Sequence, residues 1–154
     1  MGLFSFIFER RKIMTKEQVS IVAAQWWANK LKAKEPHSNG DSGLSSIFAC
    51  FLADSGMKDV PHEAYDIFVK ELSERIANDI EMIIERGKFS STWFGCDYDP
   101  CAILCESAEI AGISKFNFPY KTDMRVIKEA DGDYKIMVSA GYAAPWTKVT
   151  ENMV

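Results

Sequence analysis

Residues 123–139 read DMRVIKEADGDYKIMVS, and this stretch decides the fold. Two runs, 123–129 and 134–139, alternate apolar and polar side chains around the turn ADGD at 130–133. Such alternation places successive side chains on opposite faces of a sheet, and a turn containing Gly closes a β-hairpin. The carboxy-terminal third of the chain is therefore predicted to form a small antiparallel sheet.

Helical signals occupy the segments before the sheet. Thr15 and Gln18 form a capping box at the start of a helix that should extend to about residue 34. A second helix is predicted over 44–55, and a third from Pro61 to about Gly87. The buried stripe expected on this third helix comprises Tyr65, Val69, Leu72, Ile76, Ile80 and Ile83.

A short strand over 90–95 and a further helix complete the expected elements. Asp99 as N-cap and Pro100 at the first helical position should start this helix, and Gly112 should stop it. Its apolar residues Ile103, Leu104 and Ile110 are expected to be buried.

The fold class that follows is α+β, with amino-terminal helices packed on a small antiparallel sheet formed largely by the carboxy-terminal third. Residues 1–14 are expected to be a leader or flexible start, with either Met1 or Met14 as the first residue. Residues 15–154 should form a single domain, because no repeat or long linker divides them.

The composition of the 154-residue chain is typical of a globular protein, with 47% hydrophobic and 26% charged residues. Its net charge of −4 disfavours non-specific binding to DNA or to an anionic membrane. Residues 1–12 lack the charge order of a secretory signal and are too short to span a bilayer. Reduced cysteines and a cytoplasmic location are therefore expected.

Three cysteines form the most informative chemical motif, CDYDPCAILC at 96–105. Cys101 and Cys105 share a helix face, and Cys96 can fold back toward them, so three thiolates could hold a structural zinc ion. His37 or Cys50 would supply the fourth ligand. The alternatives are that these cysteines pack as small apolar residues or that one of them is a reactive thiol.

The polar loop HSNGD at 37–41 has two interpretations. It could form one pocket with the cysteines, in a small-ligand-binding protein or a metal-dependent enzyme, or it could be an ordinary turn. The aromatic stretch GYAAPW at 141–146 could present Tyr142 and Trp146 at a surface, but aromatic residues after a strand more often pack inside, and burial is the favoured expectation.

An acidic face is predicted on the third helix. It is either a solvated surface or a surface that docks on a basic groove of another protein. The residues assigned to this partner-binding face are Glu63, Glu71, Glu74, Glu81 and Glu85.

Several motifs carry a resemblance to a known family. QWWANKL, HSNGD, FLADSG, FGCDYDPCAILCESAEIAGI, FPYKTDM and VSAGYAAP follow one another between residues 15 and 146. Together they resemble a family of small phage and prophage proteins of Firmicutes. No P-loop, dinucleotide-binding fingerprint, nucleophile elbow or HExxH motif accompanies them.

This resemblance implies a function. The chain is similar to zinc-containing anti-CRISPR proteins, which implies a cytoplasmic, non-enzymatic inhibitor of a type II RNA-guided nuclease of the bacterial host. Its partner would be that nuclease or another basic nucleic-acid-binding protein, with no direct contact to nucleic acid or membrane. Inhibition would then be stoichiometric and would block DNA loading.

We expect the purified chain to bind about one zinc ion, because thiolates at this spacing suit a tetrahedral site. Structural zinc can contribute roughly 10 kcal/mol of apparent binding free energy, so a chelator should lower the Tm. Cys101→Ser or Cys105→Ser should lose both metal and stability. Elemental analysis of protein purified without chelator or metal-affinity column measures the metal. A content far below one equivalent, with no rise in Tm on adding zinc, would contradict the prediction.

Overall fold

The described part of the chain contains three α-helices and a four-stranded sheet, and the predicted α+β class is confirmed. The computed structural model describes residues 13–31, 59–150 and 153–154. None of the helices described there is long and apolar enough to cross a membrane. In chain order the elements are α1 (Lys16–Lys30), α2 (His62–Asp79), a π-helix (Ile80–Glu85), β1 (Ser91–Cys96), α3 (Ala102–Ala111), a 3-10 helix (Lys115–Asn117), β2 (Thr122–Lys128), β3 (Tyr134–Ala140) and β4 (Thr147–Lys148).

The four strands lie in chain order and every neighbouring pair is antiparallel. The predicted hairpin is confirmed as β2 and β3, which pair from Thr122 with Ala140 to Lys128 with Tyr134. Gly132 has a φ of 90° in the connecting turn, a conformation that favours glycine. Asp133 donates its N–H to the Asp131 carboxylate at 3.0 Å, which stabilises the same turn.

One face of the sheet packs into the core. Its side chains alternate with those of the opposite face, as the period of two requires. The inward residues Phe94, Met124, Val126, Ile136 and Val138 are all at most 4% exposed. Helix α1 contacts β3, the π-helix contacts β1, and α1 and α3 pack on α2.

Helix α1 begins as predicted, with the capping box between Thr15 and Gln18 present in both directions. It ends at Lys30, and Leu31 takes an extended conformation. Trp27 is fully buried in the core. Residues 32–58, including the predicted helix over 44–55, lie outside the described residues.

The buried stripe of α2 has a different phase from the predicted one. Leu72, Ile76 and Ile80 are buried as expected, whereas Tyr65 and Val69 are only partly buried. Ile83 is also partly buried, and the stripe ends at Ile84 instead. The observed stripe is Ala64, Phe68, Leu72, Ile76, Ile80 and Ile84.

This strict four-residue spacing has a geometric consequence. Each step exceeds a full helical turn by about 40°, so the buried side moves around the helix axis. The helix can therefore contact α1 and α3 along its length and still meet β1 at its end. The terminal π-helix, with its wider i→i+5 hydrogen bonds, keeps Ile84 on the side of Ile80.

Helix α3 begins later than predicted, which corrects the role assigned to Asp99 and Pro100. Cys101 is the N-cap, because its N–H donates to the Gly95 carbonyl at 2.9 Å and Pro100 pairs with Cys96 in a β-bridge. Asp99 instead forms an ion pair with Lys115 at 3.4 Å. Gly112 ends the helix as predicted, with a φ of 75°.

The expected burial of α3 is only partly correct. Leu104 is fully buried and Ile103 packs against the core, but Ile110 is 54% exposed. The buried line of this helix runs through Leu104, Ser107 and Ala108. Ile110 lies about 240° around the axis from Leu104 and therefore faces away from the core.

Two phenylalanines test this assignment of the core. Phe68 is fully buried, with its ring centroid 5.8 Å from that of Phe118, whereas Phe89 is 70% exposed. Phe68→Ala should lower the free energy of unfolding by about 3–5 kcal/mol, because it removes buried contacts and leaves a cavity. The matched change Phe89→Ala should stay within about 0.5 kcal/mol of the original chain. Urea denaturation measures both, and equal losses would contradict the assignment.

Candidate interaction face

The outward face of the sheet carries an unusual set of side chains in one register row. Trp93 lies opposite Arg125, Arg125 opposite Met137, and Met137 opposite Lys148. Directly opposed residues project from the same face, so the four form a row across β1 to β4. Trp93 is 66% exposed, and Arg125 and Lys148 are also exposed. We refer to these four residues as the transverse row.

Arg125 lies between two indole rings. Its guanidinium carbon is 5.8 Å from the ring centroid of Trp93 and 5.0 Å from that of Trp146, the residue before β4. Both distances fall within the range of cation–π attraction, which is worth about 0.5–1 kcal/mol at exposed sites. These two contacts therefore restrict the conformations of all three side chains.

Gly95 helps to position Trp93. The Trp93 indole N–H donates to the Asp123 carboxylate at 3.5 Å, and Asp123 lies opposite Gly95 in the register. A Cβ atom on Gly95 would collide with that carboxylate and would lie 2.6 Å from the Thr122 carbonyl oxygen. Glycine is therefore required here by the close approach of its neighbours.

A second aromatic group lies at the end of the sheet where β1 finishes and β2 begins. The Lys121 ammonium is 4.4 Å from the ring centroid of Tyr98 and 5.7 Å from that of Tyr142. Tyr98 also packs against Tyr120 at 6.2 Å, and Lys121 pairs with Asp97. We call Tyr98, Tyr120, Lys121 and Tyr142 the tyrosine cluster. The interaction face comprises the transverse row, Trp146 and this cluster.

The expected burial of Tyr142 and Trp146 is wrong. Tyr142 is 81% exposed and Trp146 is 41% exposed. Gly141, with a φ of 121°, turns the chain at the end of β3, and the Ser139 hydroxyl donates to the Ala144 carbonyl at 2.7 Å. This turn directs residues 141–146 away from the core. The turn residues Gly141 and Pro145 are the signal that sequence reasoning undervalued.

Charge is distributed unevenly along the chain. Residues 59–85 contain eight acids and two bases, whereas residues 113–150 contain six bases and four acids. The first range forms α2 and the π-helix, and the second forms most of the sheet. The helical side of the protein is therefore acidic, whereas residues 113–150 carry a slight positive excess.

The five glutamates assigned to an acidic face have different environments. Glu63 and Glu74 are exposed, and Glu81 is partly buried. Glu71 pairs with Arg75 at 2.8 Å, and Arg75 also reaches Glu106 at 3.2 Å. These contacts partly neutralise the middle of the predicted face.

Glu85, the last of the five, is held by its own chain. One carboxylate oxygen accepts the Tyr134 hydroxyl at 3.1 Å, and the other lies 3.5 Å from the Lys16 ammonium. Glu85 therefore joins the π-helix to β3 and α1. The glutamates that keep an open acidic surface are Glu63 and Glu74.

The described cysteines differ in burial. Cys96 is buried at 1% exposure on the inward face of β1, while Cys101 and Cys105 are partly buried at the start of α3. Burial, followed by the charges of Cys101, Asp99, Asp97 and Asp123, raises the pKa of Cys96 to about 11. A metal at Cys96 would have to displace this proton.

The zinc hypothesis depends on residues that the structure does not describe. Across residues 13–31, 59–150 and 153–154, no three His, Cys, Asp or Glu side chains are grouped to hold a metal ion. His37 and Cys50, the candidates for the fourth ligand, lie outside these ranges, as does the HSNGD loop. Zinc binding and the alternative ligand pocket remain predictions.

Comparison with known proteins identifies no relative: no protein-family model, curated protein or solved structure matches this chain.

The contact between Tyr134 and Glu85 predicts a pH dependence. Burial first, and then the hydrogen bond to Glu85, raises the pKa of Tyr134 to about 12 from an ordinary value of 10.0. The folded state thus holds this proton more tightly than the unfolded state. The resulting stabilisation is fully present below the ordinary pKa and is lost as the pH rises through about 12.

Tyr134→Phe should remove this part of the alkaline destabilisation, because it has no proton to lose. The variant should also be less stable at neutral pH by about 0.5–1.5 kcal/mol, since one hydrogen bond is lost. Phe89→Ala, at an exposed residue that does not titrate, is the control and should keep the original slope. Urea midpoints measured from neutral to alkaline pH provide the test. Equal slopes for Tyr134→Phe and the original chain would refute it.

Proposed function

We propose that this protein is a non-catalytic interaction protein that binds a partner protein through the interaction face. The observation that supports this proposal most strongly is the gathering of exposed aromatic side chains around two cations. Five aromatic residues of the face are between 41% and 81% exposed: Trp93, Tyr98, Tyr120, Tyr142 and Trp146. Large exposed aromatic surfaces are costly in a free protein and commonly mark binding sites.

The chemical character of the face suits protein recognition. Trp, Tyr, Arg and Met are enriched in protein interfaces, and Trp, Tyr and Arg dominate their binding energy. The transverse row contains Trp93, Arg125 and Met137 side by side. Tyr and Trp have few rotatable bonds, so fixing them in a complex costs little entropy.

We further propose that the partner is a type II RNA-guided nuclease in the cytoplasm of a bacterial host. The resemblance to anti-CRISPR proteins motivates this target. The exposed Glu63 and Glu74 of the acidic helical side would speed the encounter with a basic DNA-binding channel. The complex would then prevent DNA loading at a stoichiometric ratio, with no bond cleaved in the nuclease.

We expect the full chain to bind the purified nuclease and to block DNA loading in proportion to the inhibitor added. Trp93→Ala and Tyr142→Ala should each weaken binding by about tenfold or more, as loss of an interface hot spot does. Phe89→Ala is the matched control, because Phe89 is a large exposed aromatic residue before β1, at the end away from Tyr98. Surface binding measurements and DNA-loading assays at several molar ratios provide the readouts.

Three outcomes would contradict this proposal. Equal affinity of Trp93→Ala, Tyr142→Ala and the original chain would show that the interaction face is not the binding surface. Inactivation of the nuclease by far less than one equivalent would show a catalytic mode of action. Absence of binding to the purified nuclease would reject the target.

A further inference from the structure

We infer that Arg125 is an anchor for a carboxylate group of the partner protein, held ready between the indoles of Trp93 and Trp146. This inference rests on the proposed function and specifies the chemistry that the interaction face recognises. The carboxylate would belong to an Asp or Glu side chain or to a chain terminus of the partner.

The position of the guanidinium supports this role. The two indole rings lie 5.8 and 5.0 Å from its central carbon, in cation–π contact. A cation–π contact occupies no hydrogen-bond acceptor, so it leaves the N–H donors of the guanidinium available. Among the described residues, Arg125 has no carboxylate within 4.0 Å and no hydrogen-bond acceptor. The donors of this exposed cation are therefore open to a ligand.

Three neighbouring lysines differ from Arg125 in this respect, whereas Lys148 of the transverse row, like Arg125, pairs with no carboxylate of the described residues. Lys135, in the adjacent register row, pairs with Glu129 at 2.9 Å, and Lys121 pairs with Asp97. Lys115 pairs with Asp99 at 3.4 Å. Arg125 is thus an exposed cation that the described part of the chain leaves uncompensated at the centre of an aromatic surface.

The arrangement also reduces the cost of binding. An arginine side chain in water samples many rotamers, and a partner must immobilise it when a salt bridge forms. Here the two indoles already restrict Arg125 before the partner binds. The Trp93 indole N–H in turn donates to the Asp123 carboxylate at 3.5 Å. A carboxylate can accept two parallel N–H bonds from the guanidinium in the bidentate geometry that gives strong charge-assisted pairs.

A carboxylate fits this site better than a nucleic-acid backbone. Binding of a polyanion draws on several cations that neutralise successive phosphates. The transverse row offers Arg125 and, across Met137, Lys148, while Asp123 adds a negative charge beside Trp93. The positive charges of Arg125 and the nearby Lys148 are enough to pair with one or two carboxylates.

Titration with small probes tests the inference without the nuclease. An oligoglutamate peptide with blocked ends should bind the full chain at low salt and change the fluorescence of the tryptophans beside Arg125. Arg125→Gln should weaken this binding by about tenfold, and Arg125→Lys by a smaller factor, because lysine lacks the planar fork. Lys135→Gln removes the same charge from the same face and should leave the affinity within about twofold, because Lys135 is already paired.

Three further probes sharpen the result. Oligoglutamine should not bind, and an oligothymidylate should bind more weakly than oligoglutamate. The affinity of oligoglutamate with a free carboxy terminus, compared with that of the blocked peptide, distinguishes a terminal from a side-chain carboxylate. Equal affinity of Arg125→Gln and the original chain for oligoglutamate would overturn the inference. Tighter binding of oligothymidylate would also overturn it, in favour of a nucleic-acid ligand. If oligoglutamate fails to bind while Trp93→Ala still disrupts the complex with the nuclease, the inference fails and the proposed function stands.

Discussion

Aromatic packing around Trp27 is the interaction on which the described structure depends. Its ring centroid lies 5.3 Å from that of Trp26, 6.5 Å from that of Phe94 and 6.3 Å from that of Phe118. One side chain of α1 thereby joins β1 and the segment that leads into β2. Phe118 extends the contact to α2 through Phe68. Because this cluster occupies the inward side of the sheet, the alternating residues of β1 and β2 must face outward, and the interaction face is the result.

Local signals predicted the elements of this fold well, because their causes lie within a few residues. The capping box of Thr15 with Gln18 and the glycine turn of the hairpin are both short-range, and both are present. The phase of the α2 stripe was harder to predict from the sequence, because Phe68 and Tyr65 both fit a helical period. Phe118, distant in sequence, decides that Phe68 is the buried residue. The start of α3 was misplaced for a similar reason, because the Gly95 carbonyl captures the Cys101 N–H.

The candidate site was less predictable than the fold, because residue type alone directed attention to cysteines and glutamates. Neither Trp93 nor Arg125 belongs to a sequence motif that would mark it as a binding residue. Their relation arises only from the pairing of β1 with β2, which places them opposite each other. Strand alternation did contain part of this information, since the burial of Phe94 implies that Trp93 faces outward. The position of Trp146 depends on the turn after β3, which alternation does not specify.

The hydrogen bond from the Cys101 N–H to the Gly95 carbonyl also affects how separate molecules of the protein can associate. Among the described residues β1 is at one end of the strand order, so one of its sides has no neighbouring strand there. Unpaired groups along such an edge invite another chain to add as a further strand, which is a route to aggregation. In this protein the chain that follows β1 folds back, uses the Gly95 carbonyl itself and bridges Cys96 to Pro100. The carboxy-terminal end of the edge is thereby closed to an incoming strand, which favours separate molecules over strand-by-strand polymers.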